Sequence, residues 1–205
     1  MTAADFLPPE HTLPDLEQAA ASCKGCPLWE PATQTVFGEG PQQARMILVG
    51  EQPGDQEDTA GHPFVGPAGR LLDTALEEAG IDRSLAYITN AVKHFKFEMR
   101  GKRRIHKKPS RTEVNACRPW LQAEIDALAP DVLVPLGATA GQAILGPPSF
   151  RVTKQRGEVL DTDLGPLAVA TIHPSAVLRA DDDDRQPMME GLIADLRVAA
   201  HVLAG

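Results

Sequence analysis

Arg45-Met-Ile-Leu-Val-Gly-Glu-Gln-Pro-Gly-Asp55 sets an unbroken apolar run directly before a loop built from two glycines and a proline. So short a run, bounded by turn residues and lacking polar alternation, reads as a parallel strand buried on both faces. The pattern returns in Leu85-Ala-Tyr-Ile-Thr-Asn90, Asp131-Val-Leu-Val-Pro-Leu-Gly137 and Leu167-Ala-Val-Ala-Thr-Ile-His173. Between these runs the spacing predicts helices over 67–80, 111–129 and 138–145, with a last one over 187–204. Ser110 and Glu113 form an S-x-x-E capping box, which starts the second helix at 111. Alternating strands and helices imply an α/β protein: a three-layer α/β/α sandwich around a mainly parallel four-stranded sheet. Such sheets bind ligands beyond the carboxyl ends of their strands. Chemistry is therefore expected at 50–54, 90–94, Gly137 and 173–175.

One stretch carries most of the positive charge. Nine of the 20 lysines and arginines lie in 93–111, opposed there only by Glu98, while the whole chain has a net charge of −8. A basic strip on an acidic body suggests a polyanion held at one place. His106 stands inside the strip, in Gly101-Lys-Arg-Arg-Ile-His-Lys-Lys-Pro-Ser110. A solvated or targeting-type basic loop is the plainer account of such a cluster taken alone.

With 205 residues, 42% of them hydrophobic, the chain reads as one domain over 1–205. It has no basic segment leading into an apolar one at its start, and no apolar run of spanning length. A soluble, cytoplasmic monomer with no membrane partner is expected. The three cysteines are an odd number, and Cys23-Lys-Gly-Cys26 spaces two of them closely, unlike a secreted disulfide framework. A metal centre accounts for them better: zinc on three Cys and one His, or a cluster. A thioredoxin-like pair fits less well, since no βαβ start surrounds it.

The remaining unusual residues sit at the strand ends. Gly50-Glu-Gln-Pro-Gly54 is, by itself, compatible with a tight turn. Phe64, in a Gly/Pro-rich loop, suits the core and base stacking equally. Asn90 offers an amide donor and acceptor, or a cap for the next segment. His173, in His173-Pro-Ser175, is compatible with a structural histidine.

Taken together and in this order, these motifs resemble those of the uracil-DNA glycosylase superfamily, specifically its iron–sulfur family-four branch. Lys102-Arg-Arg-Ile-His106 with Gly50-Glu-Gln-Pro-Gly54 is similar to the UdgX type, which cross-links itself to uracil-containing DNA. The resemblance spans about 23–178. It implies uracil excision from DNA, single-stranded by preference, followed by a single-turnover covalent adduct between His106 and C1′. A conventional multiple-turnover glycosylase is the alternative, and an iron–sulfur nucleic-acid binding module without chemistry is a more distant one.

The resemblance also assigns roles. Glu51 assists the His106 nucleophile, and Gln52 stands where classical enzymes carry a water-activating Asp, which an amide cannot replace as a base. Family-four hydrolases manage with Ala there. Gly50, Gly54 and Asp55 bring backbone and loop against the extruded sugar, Phe64 stacks on the uracil, and Asn90 reads its O4 and N3–H. His173 contacts O2 and stabilises the leaving anion, while Ser175 orients the loop. Arg104 and Lys107 flank His106 as substrate contacts, and together with Arg103 and Lys108 they disfavour its imidazolium form. Cys23, Cys26, His94 and Cys117 are expected to hold a 4Fe–4S cluster, with His94 where the family has a Cys; zinc is the alternative. The cluster would clamp both ends of an active-site loop over 93–111.

Overall fold

The computed structural model describes residues 1–146 and 150–204. Its strands are β1 (Met46–Gly50), β2 (Ala86–Asn90), β3 (Phe97–Arg100), β4 (Arg103–His106), β5 (Val132–Pro135), β6 (Val159–Leu160) and β7 (Leu167–Val169). The helices are α1 (Leu13–Ala20), α2 (Asp55–Ala60), α3 (Pro67–Glu78), α4 (Arg111–Leu128), α5 (Ala138–Leu145), α6 (Val152–Gln155), α7 (Pro174–Leu178) and α8 (Asp182–Ala204).

The four expected strands pair parallel in the order β2-β1-β5-β7. Every residue of β1, β2 and β5 is buried, which explains their continuous apolar reading. Side chains alternate between the faces: Ile47, Val49 and Leu133 pack with Trp120, Leu121 and Ile125 of α4, while Met46, Leu48 and Val134 pack with α3 and α8. The three layers follow from that alternation.

The sheet has five strands rather than four. β6, two residues long, forms the edge of the sheet by pairing antiparallel with β7, and is too short to leave a periodic pattern. The last helix also begins earlier than 187: the acidic run Asp182-Asp183-Asp184 forms the first turn of α8. Carboxylates there face the positive end of the helix dipole, which favours helix over loop. The capping box at Ser110 is present in both directions.

The largest departure concerns the basic strip. It is not a loop over 93–111 but a β-hairpin, β3 paired antiparallel with β4 in the register Phe97↔His106 and Met99↔Arg104. Gly101, at φ 60, opens the two-residue turn, as a type II′ hairpin requires. Directly paired residues share a face, so Arg104 and His106 project on the same side.

Candidate active site

The strand ends converge on a cavity of about 540 Å³ lined by Glu51, Gln52, Gly54, Phe64, Asn90, His106, His173 and Ser175, among others. A wider depression of about 770 Å³ lies beside α3 and β2, where Asp73, Glu77 and Asp82 make it unsuited to a polyanion.

Each wall of the smaller cavity has a local cause. Phe64 adopts a left-handed φ of 57, a strained conformation for an aromatic residue and of the kind that collects at binding sites. Its carbonyl lies where any Cβ on residue 69 would fall, so Gly69 is obligatory. Its ring stacks toward His173 at a centroid distance of 5.8 Å. Gly50 is required for a related reason: a side chain there would strike Asn90 Oδ1 and the Phe64 ring. Asn90 is 2% exposed, and its Oδ1 is the buried side-chain polar atom left without a partner among the described residues. An orphaned acceptor of this kind costs about 1–3 kcal/mol unless a ligand satisfies it.

The state of His173 follows from its bonds. Its Nδ1 accepts the Ser175 backbone N–H at 3.1 Å, with the Ser175 hydroxyl 2.8 Å away. Nδ1 therefore carries no proton, and the neutral ring keeps a donor at Nε2. Burial pushes the imidazole down to about 4, with Arg179 and His106 adding to the effect, so the neutral ring prevails at pH 7.

His106, half-exposed at the cavity mouth, places Nε2 3.4 Å from Glu51 Oε1. The other Glu51 oxygen accepts from the Thr139 hydroxyl at the start of α5. Partial burial lowers the His106 pKa; Glu51 opposes this and Arg179 reinforces it. Arg179, at the end of α7, is a depressing cation beyond those expected from the strip, where Arg104 and Lys107 are themselves paired with carboxylates.

Four expected site residues have other partners. Arg104 pairs with Asp55 and with the fully buried Asp58 of α2, bonds Thr33 and Thr59, and lies over the rings of Phe95 and Phe97. It latches the hairpin to α2, which removes both Arg104 and Asp55 from the set of free substrate contacts. Lys107 pairs with Glu98 at 2.9 Å. The Gln52 amide donates to the carbonyls of Lys96 and Lys107 and accepts from Lys96 N–H, each at 3.1 Å. Gln52 thereby staples the base of the hairpin to the loop after β1.

The strip's charge is accordingly smaller than its composition. Lys93 is fully buried against Glu124, and Lys96 and Arg100 pair with Glu113 and Glu98. Among the described residues, Lys102, Arg103, Lys108 and Arg111 have no acidic partner. Of the cavity residues the sequence did not single out, Thr139 has only its position at the start of a helix that follows a strand to suggest it, and Arg179 lies just past the end of α7. Glu57, whose carboxylate accepts from Gly66 N–H and so ties α2 to the Phe64 loop, has no such signal.

Cys23, Cys26 and Cys117 are free and buried in one region, their thiols near enough to influence one another's ionisation. Burial pushes Cys117 up to about 12, and it raises Cys26 as well. Trp120 Nε1 and Lys93 N–H point at the sulfurs of Cys23 and Cys117, at 3.2 and 3.3 Å. His94 is buried nearby in sequence to Lys93, and burial pushes its imidazole down to about 4. Among the described residues, no three His, Cys, Asp or Glu side chains close around a single metal ion.

Residues 37–197 match the uracil DNA glycosylase superfamily, a span that takes in the sheet, the hairpin and the cavity. The chain belongs to that superfamily. Within it, the chain is similar to the Type-4 uracil-DNA glycosylase of Thermotoga maritima, 38% identical over 170 residues covering 83% of this chain and 85% of that one. The corresponding protein of Sulfurisphaera tokodaii is 35% identical over 176 residues, covering 82% and 76%. A DNA polymerase of Bacillus phage SP01 is 31% identical over 170 residues, 82% of this chain but 17% of the polymerase. No helix among the described residues is long and apolar enough to cross a membrane.

Proposed function

We propose that the protein excises uracil from DNA, by preference single-stranded, and captures the resulting C1′ on His106 as a single-turnover adduct. The observation that carries this is His106 at the cavity mouth, 3.4 Å from Glu51. The flipped uracil stacks on Phe64, and Asn90 Oδ1, without a partner in its absence, accepts N3–H. As the N-glycosidic bond breaks, its electron pair moves onto uracil N1, and the Nε2–H of neutral His173 donates to O2 where the negative charge spreads. The sugar is left as an oxocarbenium ion. His106 holds one ring nitrogen toward Glu51 and supplies the lone pair of the other to C1′, while its proton passes to the carboxylate. The new C1′–imidazole bond has no base poised to hydrolyse it, because Gln52 is bound to hairpin backbone.

Lys102, Arg103, Lys108 and Arg111, the cations without acidic partners, suit the phosphates of the strand that carries the uracil. Cys23, Cys26, Cys117 and His94 suit a 4Fe–4S cluster. N–H donors aimed at two buried sulfurs are the groups that stabilise metal-bound thiolates. When bound, the cluster would supply a cross-link joining the N-terminal segment, the approach to the hairpin and α4.

The test is a denaturing gel of protein incubated with a single-stranded uracil oligonucleotide beside its thymine counterpart. A heat-resistant shifted band is expected with uracil alone, and is expected to vanish in His106→Ala. A band that persists in His106→Ala overturns the nucleophile; released uracil in molar excess over wild-type protein overturns the capture and leaves a conventional glycosylase.

A further inference from the structure

His94 has a hydrogen-bonding partner remote in sequence, the hydroxyl of Thr35, whose oxygen lies 3.0 Å from Nε2. That hydroxyl already donates its proton to the carbonyl of Ala20, 2.9 Å away at the end of α1. A hydroxyl has one hydrogen and two lone pairs, so toward His94 it can only accept. Nε2 therefore carries the ring proton, and Nδ1 is the bare nitrogen. Among the described residues Nδ1 has no hydrogen bond.

Thr35 is itself held on both sides. Its neighbour Val36 donates to the carbonyl of Lys93 at 2.9 Å, which fixes this segment alongside the residue preceding His94. Ala20 in turn accepts the N–H of Cys23 at 2.9 Å. One hydroxyl thus sits between the turn that presents the first cysteine and the imidazole ring. A ligating histidine needs such a partner on its other nitrogen, which sets the tautomer, the ring plane and the basicity of the ligand. A thiolate in the same place has no tautomer and would need none.

We propose that Thr35 is the positioning residue of the fourth cluster ligand, holding His94 as its Nε2–H form so that Nδ1 faces the metal. This rests on the reading of His94 as a ligand. Removing a partner of this kind weakens metal retention about 10–100-fold.

The experiment uses the full chain, reconstituted with iron and sulfide, and follows bleaching of the cluster's visible absorption by an iron chelator, with iron counted per protein. Thr35→Val is expected to lose its cluster about 10–100-fold faster than wild type, and Thr35→Ser to match wild type. In a His94→Cys background the same Thr35→Val change is expected to have no further effect, because the group Thr35 acts on is gone. Equal release from wild type and Thr35→Val overturns the proposal, as does an equal penalty of Thr35→Val with and without His94→Cys, which would mark a structural role only. His94→Ala separates the two layers. If it keeps iron as well as wild type, the ligand reading itself fails; if it loses iron while Thr35→Val does not, only the positioning role falls.

Discussion

Asn90 and His94 lie on one short segment of chain, and the two ends of it have opposite character. Toward the inner end, Lys93 anchors a network in which each buried charge is spoken for. Lys93 Nζ bonds Glu124, Thr89 and the Asn90 carbonyl, and Glu124 takes two further bonds from Tyr87 and Thr89, all without contact with water. At the outer end Asn90 keeps an unpartnered oxygen, Phe64 holds a strained φ and His106 is half-exposed. The contrast teaches where rigidity is located: a saturated network beneath the cavity holds the Asn90 amide in place, so that the groups lining the cavity above it can remain unsatisfied without the fold relaxing around them.

The sharpest way to break this comparison is Lys93→Met. It strands the Glu124 carboxylate in the core, and a loss of about 3 kcal/mol of stability is expected, read from denaturant unfolding. Adding Glu124→Gln should restore most of it, since the amide carries no charge and its oxygen can keep the bonds from Tyr87 and Thr89. Unfolding of Lys93→Met at the wild-type midpoint would mean the inner end is not held by this pair.

The outer end is more sensitive in rate than in stability. Arg104→Ala frees the hairpin from α2, and displacing a reacting group by about 1 Å costs on the order of 100-fold. Cross-linking followed by gel should slow by about that factor. Lys102→Ala, at an unpaired cation, should instead only flatten the salt dependence of DNA binding by about one unit of slope. If the two variants behaved alike, Arg104 would be a phosphate contact after all.

The smallest effect concerns pH. Imidazolium has no lone pair, so cross-linking should fall as pH drops through the His106 pKa, which burial and Arg179 place below the ordinary imidazole value. Arg179→Gln removes a repelling charge, favours the protonated ring and should move the acid limb to higher pH. Because Arg179 also lines the cavity, the informative quantity is the pH of half-maximal rate rather than the plateau. A limb that stays in place would take Arg179 out of the electrostatics of His106.

Much of the sheet was legible because β1, β2 and β5 are buried on both faces, which leaves an uninterrupted apolar run. The hairpin was not, although Phe97, Met99 and Ile105 do alternate with charged residues. Charges fall on both of its faces, so no apolar stripe separates it from a solvated loop. The cavity residues that end strands or begin helices were visible in the same way. The role of Arg104 was not: its partners, Asp55 and Asp58, sit on a six-residue helix with no periodic signature. Only the folded chain brings that helix under the strip. Thr139 and Arg179 were hidden for a similar reason, since each reaches His106 or Glu51 from an element far along the chain.

The burial of all three cysteines has a practical side. The described surface presents no thiol, so a single cysteine introduced on the exposed polar side of α8 would be the one site open to maleimide chemistry. A fluorophore or bead attached there would leave the cavity and the hairpin untouched. With the capture proposed for His106, a chain carrying one addressable handle could then serve as a stain for uracil in DNA that survives boiling and detergent.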